Sequence, residues 1–380
     1  MKKYILRSVK LLCLALVLVL SLGFLQEFVL CHADHNRQRV KGFFCEEENS
    51  LDIVFMGASD VYADYAPGYA YKQNGLTSYL FATQANSILN YKNQLKNIIK
   101  HQNPKLIVIE LNGALNEDVK DVTKEANLRN YVDNIPLDEL KLEWVEKNGK
   151  DNYMEYLFPI LKYHGLWNTL AEDNKYQRTI AEDKLRGYNY LKGILNVTSV
   201  YKSDEEPLND TLKDSADEKA PLSEIEEREL KDLLEFCKSE KLDNVVFARF
   251  PHIVKLSTYN RFFQSNTVGD IVAEYGFDYL NFERDFEDTG LDVKTDFYNL
   301  DHLNVYGQKK FTDYLTNYLQ EHYSLTPREL SGSLKVEWET CADYYDAYYS
   351  YSDSLIKKNE SVELSEDCEL IEKLKNYLPE

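Results

Sequence analysis

Cysteine, methionine and tryptophan are scarce in this chain, which has six, three and three of them among 380 residues. The cysteines form no Cys-x-x-Cys pair and show no cysteine–histidine spacing of the kind that holds a structural zinc ion. The chain also lacks a Walker loop, a Gly-x-Gly-x-x-Gly turn and a His-Glu-x-x-His motif. Nucleotide binding, dinucleotide binding and zinc peptidase activity therefore have no support. We predict neither a metal ion nor a cofactor.

Positive charge is in deficit as well, with 44 lysines and arginines against 64 acidic residues and a net charge of −20. Several of the basic residues lie in the first forty positions, so the rest of the chain is more acidic still. A surface of this kind repels phosphate backbones. The sequence therefore argues against binding to nucleic acid.

The N-terminus joins a basic start to an apolar run. The basic residues are Lys2, Lys3, Arg7 and Lys10. The apolar run from Leu11 to Leu25 follows them, a pattern typical of a secretory signal or an uncleaved signal anchor. We predict a signal anchor at 1–33 and a polar stalk at 34–48, with cleavage after Ala33 as the alternative. In both cases the remainder of the chain lies outside the cytoplasm.

Short apolar runs alternate with helical patterns along the body of the chain. The predicted strands are 50–56, 77–81, 105–110, 244–249 and 279–282, and the predicted helices are 85–100, 223–239, 268–275 and 305–323. Strands and helices that alternate at this spacing predict an α/β fold, in which helices flank a parallel sheet.

Two regions depart from this alternation. Residues 114–202 show helical segments without a convincing strand, which predicts a helical insertion, and 203–221 has the composition of a flexible acidic loop. The α/β domain then covers 49–323, and a tyrosine-rich extension occupies 324–380. Three tyrosines of the extension fit one helical face, which either packs onto the body or offers a stacking platform for a glycan: Tyr344, Tyr345 and Tyr348.

The turn Gly57-Ala58-Ser59-Asp60 directly follows the first predicted strand. In open α/β sheets, ligands bind at the carboxyl ends of the strands. A serine on a glycine-assisted turn at that edge can expose its hydroxyl as a nucleophile. The alternative is that Ser59 only caps the helix that follows.

A second polar motif, Asn299-Leu-Asp-His-Leu-Asn304, precedes the last helix of the body. A serine hydroxyl needs a base because it is a weak nucleophile on its own. His302 would be that base if the sheet brings it to the edge that carries Ser59. A histidine in this role needs a partner that fixes its tautomer and stabilises its charged form, and Asp301 is the adjacent acid.

Together the two motifs resemble those of the SGNH (GDSL-like) hydrolase superfamily, which has its serine in the first sequence block and Asp-x-x-His in the last. The resemblance covers roughly 49–323. It is closest to the membrane-anchored extracellular branch, which includes proteins of polysaccharide O-acetylation and lipoteichoic-acid D-alanylation. Further similar stretches are Asn74–Tyr79, Phe158–His164 and Asp296–Asn304.

The resemblance implies a flavodoxin-like parallel sheet, with Ser59 as nucleophile and His302 as general base. A glycine and an asparagine of the family complete the oxyanion hole with the serine amide, and Gly75 matches the glycine. The asparagine position falls on an alanine, Ala114. Asn112 and Asn116 flank that position and are the candidate side-chain donors.

The last block departs from the family as well, since Asn299 stands where the family has aspartate. The orienting partner of the histidine is then Asp301, with Asn299, Asp296 and a backbone carbonyl as alternatives. Two other histidines are candidates for substrate contacts, and the second of them, His252, is also a candidate for a spare base. His164 lies in the helical insertion, and His252 follows the end of a strand.

These features predict an extracytoplasmic, membrane-anchored esterase or acyltransferase that acts on a cell-envelope polysaccharide or teichoic acid. An acyl-serine would pass its acyl group to water or to a sugar hydroxyl. The expected partners are the glycopolymer, the membrane and, as a further candidate, an acyl-exporting membrane protein. The alternative is a glycan-binding or assembly protein whose catalytic site has decayed, as the residues at 299 and 114 would suggest.

Overall fold

The computed structural model of the chain describes residues 2–29, 35–116, 118–165, 189–202, 205–212, 215, 217–366 and 368–378. The chain divides into two compact units, of which one comprises 1–34 with 136–184 and the other 35–135 with 185–380. The second unit carries the β-structure. The candidate cleavage position, Ala33, lies outside the described residues.

Five parallel strands form the main sheet in the order β2-β1-β3-β5-β6, and β4 pairs antiparallel with β7. The strands are β1 (Ile53–Gly57), β2 (Ser78–Ala82), β3 (Leu106–Glu110), β4 (Leu195–Val197), β5 (Val245–Arg249), β6 (Tyr279–Asn281) and β7 (Glu363–Ser365). The four longer strands of the main sheet are buried along their whole length, which is why they read as continuous rather than alternating apolar runs. The predicted α/β fold is confirmed.

The helices of this unit pack around the sheet. They are α2 (His35–Phe43), α3 (Ser59–Asp64), α4 (Pro67–Asn74), α5 (Ile88–His101), α6 (Val119–Val122), α7 (Glu125–Val132), α11 (Glu224–Ser239), α12 (Tyr259–Glu274), α13 (Val305–Tyr323), α14 (Gly332–Lys357) and α15 (Cys368–Leu374). Local chemistry sets several of their first residues. Ser223 and Glu226 form a reciprocal capping box at the start of α11, and the side chain of Asn304 accepts from two N–H groups at the start of α13.

The strand order reverses beside β1, because the chain leaves β1 for β2 on one side and returns to β3 on the other. The loops after β1 and β3 therefore diverge at the carboxyl edge of the sheet, the edge at which all five strands end. Such a reversal opens a crevice that commonly receives a ligand. Ser59 follows β1 at this edge, and Asn112 follows β3.

Three regions differ from the sequence-based expectation. The helix predicted at 268–275 begins earlier, at Tyr259. The short strand β4 lies in the region predicted to have none, and its partner β7 comes from the C-terminal extension. Much of the predicted stalk forms α2, where Arg39 donates to the carbonyl of Ala82 at 3.1 Å and lies over the ring of Tyr62. For β4 and α2 the partners are distant in the chain, and a local pattern does not show them.

The C-terminal extension packs onto the body through its long helix α14. Tyr344, Tyr345 and Tyr348 are 6%, 1% and 0% exposed and belong to the main hydrophobic core. Rings buried to this extent have no face left for a sugar. The packing interpretation of the three tyrosines therefore holds. In the same helix Cys341 keeps a free thiol.

The other unit contains α1 (Lys2–Val29), α8 (Glu139–Asn148), α9 (Tyr153–Leu157) and α10 (Ile160–Tyr163). Residues Lys3–Gly23 of α1 have a mean hydropathy of 2.3 and are exposed throughout. This helix fits a signal sequence or a signal anchor. Trp144 packs edge-on against Tyr156 and joins α8 to α9. The described part of the predicted insertion is thus mainly helical, and 166–188 lies outside the described residues.

Candidate active site

Ser59 lies at the carboxyl edge of the sheet as the first residue of α3. Ala58 is the N-cap of this helix and provides no side-chain cap, so capping does not account for the serine. The strand before it passes very close to β3. A Cβ atom on Gly57 would lie 2.9 Å from the Cβ atom of Glu110, and this close approach therefore requires a residue without a side chain.

His302 lies on a loop that is tied to the helix carrying Ser59. The N–H of Leu303 donates to Oδ1 of Asp64, the last residue of α3, at 2.9 Å. The imidazole stacks on the ring of Tyr298 at a centroid distance of 5.3 Å and an interplanar angle of 4°. Its Nε2 atom lies 3.9 Å from Oδ1 of Asp60, the residue that follows Ser59. The structure thus brings the two motifs to one edge of the sheet.

Asn299 fixes the tautomer of His302. Its Oδ1 atom lies 3.0 Å from Nδ1 of His302 and also accepts the backbone N–H of Asp301 at 2.9 Å. A backbone N–H can only donate, so the atom facing both groups is the amide oxygen. Nδ1 of His302 therefore carries a proton and donates it to Asn299. The lone pair of the neutral ring then lies on Nε2, as a general base requires.

The Nε2 atom of His302 is buried and has no hydrogen-bond partner among the described residues. Burial lowers the pKa of His302, and the nearby charges of His252 and Arg261 lower it further, whereas Asp60 and Asp301 act in the opposite direction. The net shift is downward, so the ring is neutral at neutral pH. The hydroxyl of Ser59 does not hydrogen bond to Nε2 in this structure.

The two acids predicted as orienting partners contact other groups. Asp301 faces the guanidinium of Arg261, with 3.4 Å between Oδ1 and Nη1. Asp296 is buried, and it accepts from Lys310 at 2.7 Å and from the N–H of Asp292 at 2.8 Å. Neither carboxylate reaches Nδ1 of His302. The structure places Asn299 there, at the position where the family that the chain resembles has aspartate.

A buried group of charges lies directly beside Ser59 and His302, and the sequence analysis did not identify it as a group. We call it the buried charge cluster. Its members are Asp60, Glu110, Arg249, His252 and Glu283, and each is at most 2% exposed. Glu110 and Arg249 end strands, His252 and Glu283 lie in the loops that follow strands, and Asp60 lies in the first turn of α3. Asn112 belongs to the same network and connects the cluster to the exposed side of the edge.

His252 lies at the centre of the cluster, between two carboxylates. Its Nε2 atom is 3.0 Å from Oδ1 of Asp60, and its Nδ1 atom is 2.7 Å from the carbonyl of Phe250 and 3.1 Å from Oε1 of Glu283. Both ring nitrogens face acceptors only, so both carry protons. Burial and Arg249 lower the pKa of His252, but the two carboxylates outweigh them and raise it to about 10. His252 is therefore a buried cation rather than a base at neutral pH.

The carboxyl groups of the cluster divide into charged and neutral members. Burial alone would raise the pKa of Asp60, but His252, His302 and Arg249 hold it far below its usual range. Arg249 and His252 likewise outweigh burial at Glu283 and lower its pKa to about 2. Glu110 behaves differently, because burial and the charge of Asp60 raise its pKa to about 8. Asp60 and Glu283 are thus carboxylates at neutral pH, whereas Glu110 is largely protonated.

Asn112 joins this cluster to the rim of the site. Its Nδ2 atom donates to Oδ2 of Asp60 at 2.7 Å, and its Oδ1 atom accepts from Arg249 at 2.7 Å and from Arg261 at 2.6 Å. One of the two amide protons is therefore committed, and the other remains available as a donor. Among the predicted oxyanion donors, Asn112 is the one that the structure brings to the Ser59 edge.

Three other predicted site residues contact groups other than Ser59. Gly75 ends α4 before β2 begins, at the amino edge of the sheet, and its Cβ position faces Pro327. Asn116 binds Glu226 of α11 through both its N–H and its side chain. His164 belongs to the other unit, where Nδ1 contacts the carbonyl of Leu161. None of these three is placed beside Ser59 by the described contacts.

Gly75 was predicted at the oxyanion hole, and its position in the fold explains why it does not lie there. In a parallel sheet, a loop reaches the carboxyl edge only if it follows a strand, and Gly75 precedes one. The loop that does follow β2 contains Ala85, an exposed residue with φ of +47°, a conformation that favours glycine. Asn86, the next residue, donates to the carbonyl of Gly57 at 3.0 Å. Because alanine occupies this left-handed position, no glycine marks the loop in the sequence.

A signal for the buried charge cluster was present in the sequence. Glu110 and Arg249 end two otherwise apolar predicted strands, and Asp60 directly follows the serine. Charges at the ends of buried strands are rarely left without partners. Such ends indicate a paired site even where no motif is recognised.

Comparison with known proteins adds no identification. No protein-family model and no curated protein sequence matches this chain. The sheet order is consistent with an SGNH-like fold.

Proposed function

We propose that this protein is an extracytoplasmic serine esterase or O-acyltransferase that acts on acyl esters of a cell-envelope polysaccharide or teichoic acid. The observation that supports this best is the state of His302. Asn299 fixes the proton on Nδ1, and the lone pair of Nε2 is unpartnered beside the turn that carries Ser59. The apolar helix α1 supports a location at or beyond the cell membrane.

The reaction would proceed in two steps. Oγ of Ser59 attacks the carbonyl carbon of the acyl ester while Nε2 of His302 takes the hydroxyl proton. The tetrahedral intermediate collapses, the bond to the leaving alkoxide breaks, and His302 returns the proton to that oxygen. Water or a sugar hydroxyl then attacks the acyl-serine with the same proton transfers in reverse. The free amide proton of Asn112 and the backbone N–H of Ser59 would stabilise the oxyanion.

The choice between hydrolysis and transfer depends on the acceptor that reaches the acyl-serine. A membrane protein that exports an acyl donor would be a suitable partner, because α1 would hold this protein at the membrane in which that partner lies. A polymer hydroxyl held at the carboxyl edge would then compete with water. Mass analysis of products with and without a polymer acceptor distinguishes the two reactions.

Labelling with a fluorophosphonate tests the proposal directly. The full chain, purified in detergent, is treated with the probe, and the adduct is mapped by peptide mass spectrometry. We expect the adduct on Ser59 and its loss in His302→Ala. Ser239→Ala is the matched control, because Ser239 is an exposed serine at the end of α11 and its removal should leave labelling unchanged.

A second candidate function is non-catalytic binding or assembly. One observation favours it, namely the absence of a hydrogen bond between the Ser59 hydroxyl and Nε2 of His302 in this structure. Catalytic hydrogen bonds are often incomplete in the absence of substrate, so we rank this function second. Absence of labelling under conditions that label a control esterase would reverse that ranking, and glycan-binding measurements would follow.

A further inference from the structure

The neutral side chain of Asn299 leaves one requirement of the proposed reaction unmet. When Nε2 of His302 takes a proton, the ring becomes an imidazolium cation. In a serine–histidine–aspartate arrangement the aspartate both fixes the tautomer and stabilises that cation. Asn299 fixes the tautomer through the same contact, but an amide carries no charge. A negative charge must therefore come from another residue.

Asp60 lies in the position to supply this charge. Its carboxylate is fully buried, and Oδ1 lies 3.9 Å from Nε2 of His302. At this distance, and out of contact with water, a carboxylate favours the charged form of the ring. It approaches from the Nε2 side, opposite to Asn299. Asp60 also directly follows Ser59 in the chain, so its position is coupled to that of the nucleophile.

The buried charge cluster holds Asp60 in place and in its charged form. His252 donates to Oδ1 at 3.0 Å and Asn112 donates to Oδ2 at 2.7 Å, so both oxygens are anchored. Glu283 anchors His252 from its other nitrogen at 3.1 Å, and Arg249 in turn donates to Glu283 at 2.7 Å. These contacts prevent the carboxylate of Asp60 from rotating away or taking a proton from His302.

The other groups that face His302 do not offer an equivalent charge. Asp301 is 38% exposed, so solvent screens its charge more than that of the buried Asp60. Burial and the nearby charge of Asp60 raise the pKa of Asp64 well above its usual range, so this carboxyl ionises less readily than that of Asp60. Tyr298 is a phenol that stacks on the ring. His252 and Arg261 are cations and oppose the charging of His302.

We propose that Asp60 is the positioning residue that stabilises protonated His302, and that it supplies from the Nε2 side the charge that Asn299 lacks. The inference rests on the proposed function, because it assigns a role within the same reaction. It also gives a purpose to the buried charge cluster, since His252 and Glu283 keep Asp60 ionised where an isolated buried carboxyl would take up a proton.

A rescue experiment tests this proposal. The full chain is prepared in detergent as wild type, Asp60→Asn, Asn299→Asp and the double variant. Aspartate at 299 retains both contacts of the asparagine oxygen and returns a charge to the Nδ1 side. The rate of fluorophosphonate labelling is measured for each protein, and His302 is titrated by NMR of ¹⁵N-labelled histidine, with His302→Ala for assignment.

We expect Asp60→Asn to slow labelling at least tenfold and to lower the pKa of His302. Asn299→Asp should restore most of the rate in the Asp60→Asn background, but change it less than threefold in the wild type, where a charge is already present. A purely structural role for Asp60 would not be rescued by a carboxylate on the opposite side of the ring. A double variant that labels no faster than Asp60→Asn overturns the proposal.

Two further outcomes are distinguishable. If Asp60→Asn does not fold, the single variant Asn299→Asp tests the proposal instead. A labelling rate at least tenfold above wild type would show that Asp60 does not supply a stabilising charge to His302, and would overturn the proposal. If the wild type does not label at all, the proposed function fails. The NMR titration still tests the inference in that case, since an unchanged pKa of His302 in Asp60→Asn would contradict it independently of activity.

Discussion

The side-chain oxygen of Asn299 lies 3.0 Å from Nδ1 of His302, at a position where the resembling family has a carboxylate. The same oxygen accepts the N–H of Asp301. This second contact keeps the amide from flipping, which would turn its NH₂ group toward the ring and select the wrong tautomer. An asparagine serves this way in papain-like cysteine proteases, where it orients the catalytic histidine. The arrangement is therefore compatible with catalysis.

The first prediction concerns this orienting contact. Asn299→Ala removes the acceptor of the Nδ1 proton, so the ring can turn and change tautomer. We expect fluorophosphonate labelling of Ser59 to slow by about 100-fold, below the ~10⁴-fold known for loss of the correct tautomer in a serine protease. The control is Asp301→Asn, which should change the rate less than threefold because Asp301 faces Arg261 rather than His302. The reverse order of these two effects would return the orienting role to Asp301.

The second prediction concerns the nucleophile. Ser59→Ala should abolish acyl turnover on a chromogenic ester while the thermal midpoint of the full chain stays within about 2 °C, since removing a hydroxyl from a partly exposed first-turn position costs little stability. Turnover is followed by absorbance and unfolding by intrinsic fluorescence. Turnover that persists in the variant at the wild-type rate would assign the chemistry to another residue.

The third prediction concerns pH. Burial holds the pKa of His302 below its ordinary value, and the neutral ring is the base. The labelling rate should therefore rise with pH through this depressed pKa, level off above it, and be lost as pH falls through it. The pKa of His252 is raised to about 10, so its titration should not affect this rise of the labelling rate at lower pH. A rate that is half-maximal near pH 10 instead would identify His252 as the base.

The main features of the fold could be predicted from sequence because they depend on local patterns. The continuous apolar runs around β1 and β3 are enough to indicate buried parallel strands, and the serine and histidine motifs follow from their positions beside strand and helix ends. The buried charge cluster could not be predicted in the same way. Asp60, His252 and Glu283 are far apart in the chain, and only the sheet order brings them together. Gly75 shows the opposite case, since a motif match does not indicate which edge of the sheet the loop reaches.

The fourth prediction concerns the stability of the cluster. The folded protein raises the pKa of His252 from 6.5 to about 10. The stabilisation from the protonated ring is therefore fully present below about pH 6.5 and is lost as pH rises through about 10. Removal of the ring in His252→Ala leaves the buried carboxylates of Asp60 and Glu283 without their shared cation. We expect a loss of about 3–5 kcal/mol at pH 7, measured by thermal or denaturant unfolding of the full chain.

The matched control for this variant is His322→Ala. His322 is an exposed histidine near the end of α13, and it contacts the carbonyl of Tyr318. Its removal should cost well under 1 kcal/mol, as is usual for surface positions. The difference between the two variants should shrink between pH 7 and pH 10, because wild-type His252 loses its charge over that range. A difference that stays constant with pH would mean that packing rather than charge carries the effect.

The last prediction concerns the close approach of Gly57, at the end of β1, to Glu110 of β3. In Gly57→Ala the new methyl group would lie 2.9 Å from both the Cβ atom and the carbonyl oxygen of Glu110, on a residue whose φ is +153°. The backbone carbonyl cannot move without breaking β3 pairing, so the strand end carrying Ser59 must shift. We expect a loss of about 1–3 kcal/mol, typical of overpacking, together with slower labelling of Ser59. Gly165→Ala is the control, since no atom of the described residues lies within 4 Å of its Cβ position. If the Gly57→Ala protein is destabilised but labels at the wild-type rate, the close approach of Gly57 to Glu110 does not determine the position of Ser59.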